Sequence, residues 1–499
     1  MMLAASLALL LLAAASCQGY VIGYSHFRSS VPVQGRSGVA PVAPATVSPP
    51  KAPWTPFSSR NSIGSNKAAT TTGTAISTTT TTTTAPFNTI IASAVTTPPV
   101  SPTTPAKAVT MKAPRATGEV DSGVATVATT LRRHLPANEN AVLSPLSIAS
   151  VLAALQMGAR GNTARQIATF LAQGTSSDWI YWNKMGEALR AINASKAVTA
   201  SLANAVVLDK RLSLSPIYEQ TVRNVLSSEV LAVDFAGHPT EATTLINQWV
   251  SDKTRSKIPR MLDQPLGPDT VLAVASALYF NGAWSEQFKV NATRRARFTV
   301  SETEAFEVDM MFQESSALFA YDEVVGCQVL GLPYKDEDFA LFLVLPDKPG
   351  VSGLTRLEQQ LSPAALIQLL DSADWAELPF YVPRMKLEAS FNLNDALIAA
   401  GVTDMFDASK ADLSGILRAN RTVPLYVSDV AHRVVMDITE SGTEAAAATV
   451  ATASRSGSSY KFVVDRPFLF VLQHRRSGVP LFWGSVVRPT PRYSLTGTH

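Results

Sequence analysis

The chain has 499 residues, a formal net charge of +3, 46 % hydrophobic residues and two cysteines. That length suits one large domain with extensions or two to three average ones. Two cysteines, Cys17 and Cys327, exclude a disulfide framework and leave Cys327 as a lone thiol, buried by default. The charge is uneven: residues 1–118 carry eight basic residues and no acid, whereas the 34 basic residues from 119 onward face 39 acids, a formal −5. The basic residues of the first part are too scattered for a nucleic-acid arm.

Met1–Ser16 is rich in Leu and Ala and ends in small residues, the pattern of a secretory signal peptide covering 1–17. No later run is long and uncharged enough to span a bilayer. These features predict a secreted, extracellular protein, and the Asn-x-Ser/Thr triplets at Asn193, Asn291 and Asn420 are its candidate glycosylation sites. Residues 18–118 are dominated by Pro, Thr, Ser and Ala, with an unbroken Thr run over 78–84. Such a segment buries too little apolar surface to offset its ordering entropy, so a disordered extension is expected, either an O-glycosylated stalk or a plain spacer.

A globular pattern begins at Glu119. Helical spacing covers 120–134. Ser144-Pro145 caps a helix that closes near Gly158, and further helices are expected over 163–171, 182–192, 216–226 and 240–253. Strands are read over 199–208, 271–280, 298–300, 306–312, 317–321, 327–332 and 340–345. A single helix follows over 354–371, an extended stretch over 378–391 and a short helix over 393–400. Further strands are read over 434–438, 461–464, 468–472 and 481–487. Helices first and strands later indicate an α+β fold.

Catalytic signatures do not occur: there is no nucleophile elbow, phosphate loop, dinucleotide fingerprint or metal-protease motif. The six histidines are scattered, and Asp336-Glu337-Asp338 reads as a solvated loop. No enzyme, metal or cofactor is expected. The unusual stretch is instead Glu440–Gly457, which joins strands yet carries almost exclusively Ala, Thr, Ser and Val, with no Pro and no charge from Ala445 to Ser454. At period two, Thr443, Ala445, Ala447, Thr449, Ala451 and Ala453 share one small-residue face. Such a loop can remain exposed or become a strand.

Several motifs, in order along the chain, then carry a resemblance. They are Asn140–Ile148, Met157–Thr163, Leu245–Thr254, Ala277–Trp284, Asp404–Gly415 and Val464-Asp465-Arg466-Pro467-Phe468. Over 119–491 the sequence resembles the serpins, the serine protease inhibitors. The resemblance implies three β-sheets, about eight to nine helices and an exposed reactive-centre loop. It also implies a single-use inhibitor, cut in that loop by a serine protease and trapping it covalently as the loop inserts into the main sheet. The uncut state is then held by a barrier and not by equilibrium.

The small hinge residues Glu440, Gly442, Thr443, Ala445, Ala446, Ala447 and Ala448 fit an inhibitory member. The alternative is a non-inhibitory carrier, chaperone or storage serpin. Family spacing from Glu440 places the cleaved bond at Ser456–Gly457; a loop one residue shorter places it at Arg455–Ser456. Arg455 is the single cation of the loop and would suit a trypsin-like protease with an Asp at the base of its pocket. Asn140, Ser144, Ser147, Ser276 and His432 match the shutter, where strands part. Ser276 stands where the family usually has Asn, so a weaker network to His432 is expected. Arg384 is expected to pair with Glu440. The helix bearing Lys184, Arg190 and Lys196 is too sparsely basic for a glycosaminoglycan site. A monomer is expected.

Overall fold

The computed structural model describes residues 118–174, 177–418, 424–443 and 460–495. Among them are nine α-helices and fifteen strands. Helices α1 (Glu119–Arg133), α2 (Pro145–Gly158), α3 (Gly161–Phe170), α4 (Asp178–Asn193), α5 (Pro216–Leu226) and α6 (Pro239–Lys253) dominate the first half. Helices α7 (Val351–Gln360), α8 (Pro363–Asp371) and α9 (Asn394–Ala399) are set among the later strands. None of the described helices is long and apolar enough to cross a membrane.

The helix read from the sequence over 354–371 is two helices. Ser362 ends the first by capping the second, its Oγ accepting from the Ala365 amide at 3.1 Å, with Pro363 in the first helical position. The same device starts α2, where Ser144 Oγ accepts from the Ser147 amide at 3.2 Å and Pro145 follows. Helix α2 is buried along its whole length, which its nearly all-apolar sequence permits.

One sheet has six strands in the order β10 (Met385–Asn392), β11 (Asp429–Thr439), β12 (Gly442–Thr443), β4 (Leu272–Ala283), β2 (Val198–Asp209) and β3 (Glu229–Val233). The other has nine. Its path runs β1 (Ala141–Leu143), β15 (Val479–Val486), β14 (Phe468–His474), β8 (Phe339–Pro346), β7 (Cys327–Pro333), β6 (Ala305–Asp322), β9 (Asp374–Pro383) and β13 (Phe462–Val463), with β5 (Arg294–Thr299) paired to β6. The strands expected separately over 306–312 and 317–321 are one 18-residue strand, β6. Its ladder holds β5 over Ala305–Met310, β9 over Met310–Phe319 and β7 over Leu318–Asp322, so the second and third sheets expected from the sequence are hydrogen-bonded into one.

The extended stretch over 378–391 also divides. It breaks after Pro383 and sends β9 to one sheet and β10 to the other. Arg384 lies at the crossing, its amide donating to Asp309 O at 2.8 Å.

The six-stranded sheet has apolar residues on both faces. One face, with Val274, Leu278, Phe280, Val430, Val434, Met436 and Ile438, joins the main core. The other, with Ala273, Ala275, Ala277, Tyr279 and Val435, packs beneath α6 through Ile246 and Val250. Near-continuous apolar strands such as 271–280 reflect this double burial.

The cap between α7 and α8 is directly testable. Ser362→Ala should lower the unfolding free energy by about 1 kcal/mol, seen as a fall in the urea midpoint at unchanged slope.

Candidate functional site

The loop singled out in the sequence leaves the six-stranded sheet at its centre. Strand β11 ends at Thr439, the chain reverses through Glu440 and Ser441, and Gly442-Thr443 return as β12. This two-residue strand is antiparallel to both neighbours: Thr443 faces Ile438 and Gly282, and Gly442 faces Thr439 and Ala283. Further along, β4 and β11 pair directly, in parallel, from Asp429↔Ala273 to Val435↔Tyr279. The two strands therefore part above Tyr279 and Val435, and β12 occupies the mouth of the gap.

Gly442 is required at that mouth. Its φ is +140°, and a Cβ there would stand 2.1 Å from Gly282 O. Other groups fasten the turn. The Trp284 amide donates to Ser441 O at 3.2 Å, its Nε1 to Thr439 O at 2.9 Å, and the Phe288 amide to Glu440 O at 2.9 Å. Thr443 is fully buried, with Oγ1 2.7 Å from Tyr334 OH. Burial pushes the Tyr334 phenol well above its ordinary pKa, partly opposed by that bond, so it stays protonated. Glu440 is buried, and Thr293 Oγ1 donates to its Oε1 at 2.8 Å. Arg384 Nη1 lies 3.9 Å from Glu440 Oε2, with a half-exposed side chain, so Thr293 makes the closer contact with the carboxylate. With the guanidinium half-exposed and the contact long, solvent screens this pair to about 0–1 kcal/mol.

Lower in the sheet, one register row runs Asn204, Ser276, His432 across β2, β4 and β11. The start of α2 covers it. His432 Nδ1 lies 3.0 Å from Ser276 O and 3.2 Å from Ser276 Oγ, and His432 Nε2 accepts the Ser144 amide at 3.0 Å. Ser276 Oγ is 2.9 Å from Ser147 Oγ, which donates to Asn204 Oδ1. Both ring nitrogens are thus satisfied in the neutral tautomer with the proton on Nδ1. Desolvation pushes the His432 pKa down to about 3, against the smaller opposing effect of the Ser276 carbonyl.

Ser276 joins this network through both its backbone carbonyl and its hydroxyl, and Asn204 closes the far end. Asn204 escaped the sequence reading; its signal is a buried amide side chain within the apolar run 202–208. Asn140, grouped with this set, lies elsewhere: its Oδ1 accepts from the amides of Val487 and Arg488 and its Nδ2 donates to Arg488 O, each at 2.8 Å.

The remaining candidates are placed as follows. Asn193 and Asn291 are exposed, whereas Asn420 lies outside the described residues. So do Ala445, Ala446, Ala447, Ala448, Arg455, Ser456 and Gly457. Lys184, weighed as part of a basic surface, is ion-paired to Glu119 at 3.1 Å. Cys327 is buried, and desolvation with Asp322 and Asp347 pushes its thiol up to about 12, which makes it inert.

A family model described as Serpin (serine protease inhibitor) matches residues 122–489. The chain belongs to the serpin family. The leukocyte elastase inhibitor of Bos taurus is 37 % identical over 369 residues, covering 72 % of this chain and 96 % of the relative. The human protein of that name is 34 % identical over 358 residues, covering 70 % and 93 %. Uncleaved ovalbumin superposes with a TM-score of 0.68 at 29 % identity, covering 74 % of this serpin and all of that chain. Serpin48 of Tenebrio molitor superposes with a TM-score of 0.65 at 27 % identity, covering 74 % and 97 %.

These relatives correct one expectation. The secreted, extracellular location read from the N-terminal stretch does not stand. The serpins matched at 31–37 % identity are named for leukocytes, and one of Tachypleus tridentatus, 33 % identical over 71 % of this chain and 86 % of its own length, is named an intracellular coagulation inhibitor. The apolar residues 1–17 on which that expectation rested lie outside the described residues.

The histidine row makes a pH prediction. The folded pKa of His432 is depressed to about 3 from an ordinary 6.5, so below about pH 6.5 the unfolded chain binds the extra proton and stability falls with acid, down to about pH 3. His432→Gln should be less stable than wild type by about 1–3 kcal/mol at pH 8 and should lose stability less steeply between pH 6.5 and 4. Denaturant unfolding of both proteins across that window checks the sign.

Proposed function

We propose that this serpin is a suicide-substrate inhibitor of a serine protease, acting as a monomer, in which residues 444–452 become a new strand between β4 and β11 after the loop is cut. The observation that carries this reading is a closure of register. Continuing the β12 ladder downward sets residue 446 opposite Val435 and Tyr279, and residue 452 opposite Asp429 and Ala273. Those are pairs that already face each other in the parallel ladder. Both antiparallel registers and the parallel one agree without a slip, so a strand can enter by parting β4 from β11 with no sliding.

The composition of the loop fits the slot residue by residue. Ala445, Ala447 and Ala451 would lie opposite buried apolar pairs, Met436 with Phe280, Val434 with Leu278, and Val430 with Val274. Thr449, the polar member of that face, would lie in the row of His432 and Ser276. The other face, Ala446, Ala448, Val450 and Thr452, would lie beneath α6. Exchanging one parallel ladder for two longer antiparallel ones adds on the order of ten backbone hydrogen bonds, each worth about 0.5–1.5 kcal/mol net. That difference is the driving force for trapping a protease, and the intact sheet must be a state held by a barrier.

The target follows from the cleaved bond. Arg455–Ser456 is the bond we assign, which selects a trypsin-like protease by the match of a guanidinium to a carboxylate. A second reading has an observation of its own. The relatives are named elastase inhibitors, and cleavage at Ser456–Gly457, the bond that family spacing gives, would suit a protease with a small or apolar pocket. Incubation with trypsin and with elastase, followed by denaturing gels, should give a protease-sized upward shift with trypsin. Mass spectrometry of the released C-terminal fragment should show it beginning at Ser456. A fragment beginning at Gly457 moves the assignment to the elastase-like reading, and a nicked chain with no shifted band from either enzyme refutes inhibition.

Insertion is tested separately by Ala447→Glu. A carboxylate between Val434 and Leu278 would be buried without a partner. Cleavage should proceed at the wild-type rate while the yield of covalent complex drops by at least about tenfold, measured by gel densitometry at equal cleavage.

A further inference from the structure

The chain that carries the proposed cleaved bond re-enters the described fold at Tyr460. The Tyr460 ring packs against Phe319 of β6 at 5.3 Å between centres, yet the residue stays 42 % exposed. Two residues further along the same face of β6 stands Tyr321, 55 % exposed. The turn from β6 to β7 then presents Val324, 93 % exposed. One uncovered apolar side chain is ordinary, but three at a single strand end and its turn make a surface suited to a partner. The turn is firmly built. Asp322 Oδ1 accepts from the amides of Val324 and Val325, each at 2.9 Å, and the Asp347 amide donates to Gly326 O at 2.9 Å. Gly326 closes the turn at a φ of +70°.

Acids surround these side chains. Tyr321 OH donates to Asp347 Oδ2 at 3.1 Å, and Gln328 Nε2 donates to Asp347 Oδ1 at 3.2 Å. That hydroxyl bond, with the charges of Asp347 and Glu323, holds the Tyr321 phenol above its ordinary pKa, so the field at its hydroxyl is negative. Arg466 is committed elsewhere, to Asp465 at 3.0 Å and to Pro346 O at 2.9 Å. Lys348 and Lys461, next in sequence to Asp347 and Tyr460, are exposed. The length of the loop says what covers this face. Ser456 stands four positions before Tyr460, at most about 14 Å of extended chain. Thr443, the other foot, is twelve positions from Arg455. A protease domain of roughly 200 residues has a radius of gyration of about 16 Å, so an enzyme seated on 455–456 has surface within reach of the Tyr460 foot.

We propose that this foot of the loop is a second contact for the attacking protease, in which Tyr321, Val324 and Tyr460 receive an apolar part of its surface beside the active-site cleft and Glu323 and Asp347 receive a cation from it. The identity of the occupant rests on the inhibitory reading above; the place of the contact holds for either cleaved bond. Tyrosines on a firm backbone supply large contact area at little entropic cost, and they are frequent anchors of protein interfaces. The rim acids act mainly on the rate of encounter. Because loop and patch are joined by a few residues, the two contacts reinforce each other through effective concentration. Selection among proteases that accept the same loop residue then falls to this surface.

The probes are trypsin and elastase, each with its nucleophilic serine replaced by alanine, so that neither cleavage nor insertion contributes. Binding of the full chain is measured by surface plasmon resonance. Wild type should bind at least one of the two, and Tyr321→Ser, Val324→Ser should bind that enzyme at least about tenfold more weakly. Val324→Ser alone, at a position open to solvent, should weaken binding at least about threefold at an unchanged urea midpoint. Glu323→Gln should slow association and flatten its dependence on salt. Equal binding by wild type and the serine variants, or no binding of either enzyme by wild type, overturns the contact; an unchanged salt dependence in Glu323→Gln overturns its charged part. Inhibition is read separately, with the active enzymes: wild type that binds the silenced protease but forms no covalent complex removes the inhibitory reading and leaves the contact standing.

Discussion

The parallel pairing of β4 with β11 is the constraint on which the rest depends. The pairs that flank this seam, β10 with β11 and β4 with β2, are antiparallel, and parallel neighbours need a long connection. Here the connection holds five strands of the nine-stranded sheet, β5 to β9, together with β10 and helices α7 to α9, because β4 ends at Ala283 and β11 begins at Asp429. The seam is thus held shut by the fold as a whole and not by a local hairpin. At its top it is already parted by Gly442 and Thr443, which pair with β11 on one side and β4 on the other. A sheet with an open mouth and a matched slot departs from the usual practice of closing or covering edges.

Two buried polar sets bracket the seam. At the mouth, Tyr334 and Thr443 share a hydrogen bond, and Thr293 reaches Glu440. Lower down, Asn204, Ser276 and His432 form a row completed by Ser144 and Ser147 from the start of α2. Each set links a strand of the seam to another element, so parting the strands disturbs a polar network and not apolar contacts alone. Such networks are stable when every member is satisfied and costly when one is removed. A barrier to the proposed insertion would take this physical form.

Much of this was legible in the sequence. Ser-Pro pairs at 144–145 and 215–216 marked helix starts because the cap and the fixed proline φ are local effects. Apolar runs such as 271–280 marked buried strands for the same reason. The misreadings fell where long-range pairing decides. Nothing within 305–322 says that one strand bridges two sets of partners, and nothing within 374–392 says that the chain changes sheets at Arg384. Ser362-Pro363 was the same cap signal as elsewhere, but it was passed over inside an apolar pattern that looked continuous. Asn204 could be noticed as an oddity in a strand, but its role required β2 to lie beside β4. Composition misled over location, since a short apolar N-terminus resembles an export signal whatever follows it.

What the sequence by itself determined is the capacity of Glu440–Gly457 to be either loop or strand. Small, β-compatible residues at alternate positions and a glycine where the chain must turn are properties of the residues and need no partner. What the tertiary structure decided is where such a strand could go. Register is a relation between segments far apart in the chain, and the coincidence of three registers at the seam exists only once β4, β11 and β12 lie side by side. The neutrality of His432 is likewise tertiary, because desolvation comes from the helix and sheet that enclose it and not from its neighbours in sequence.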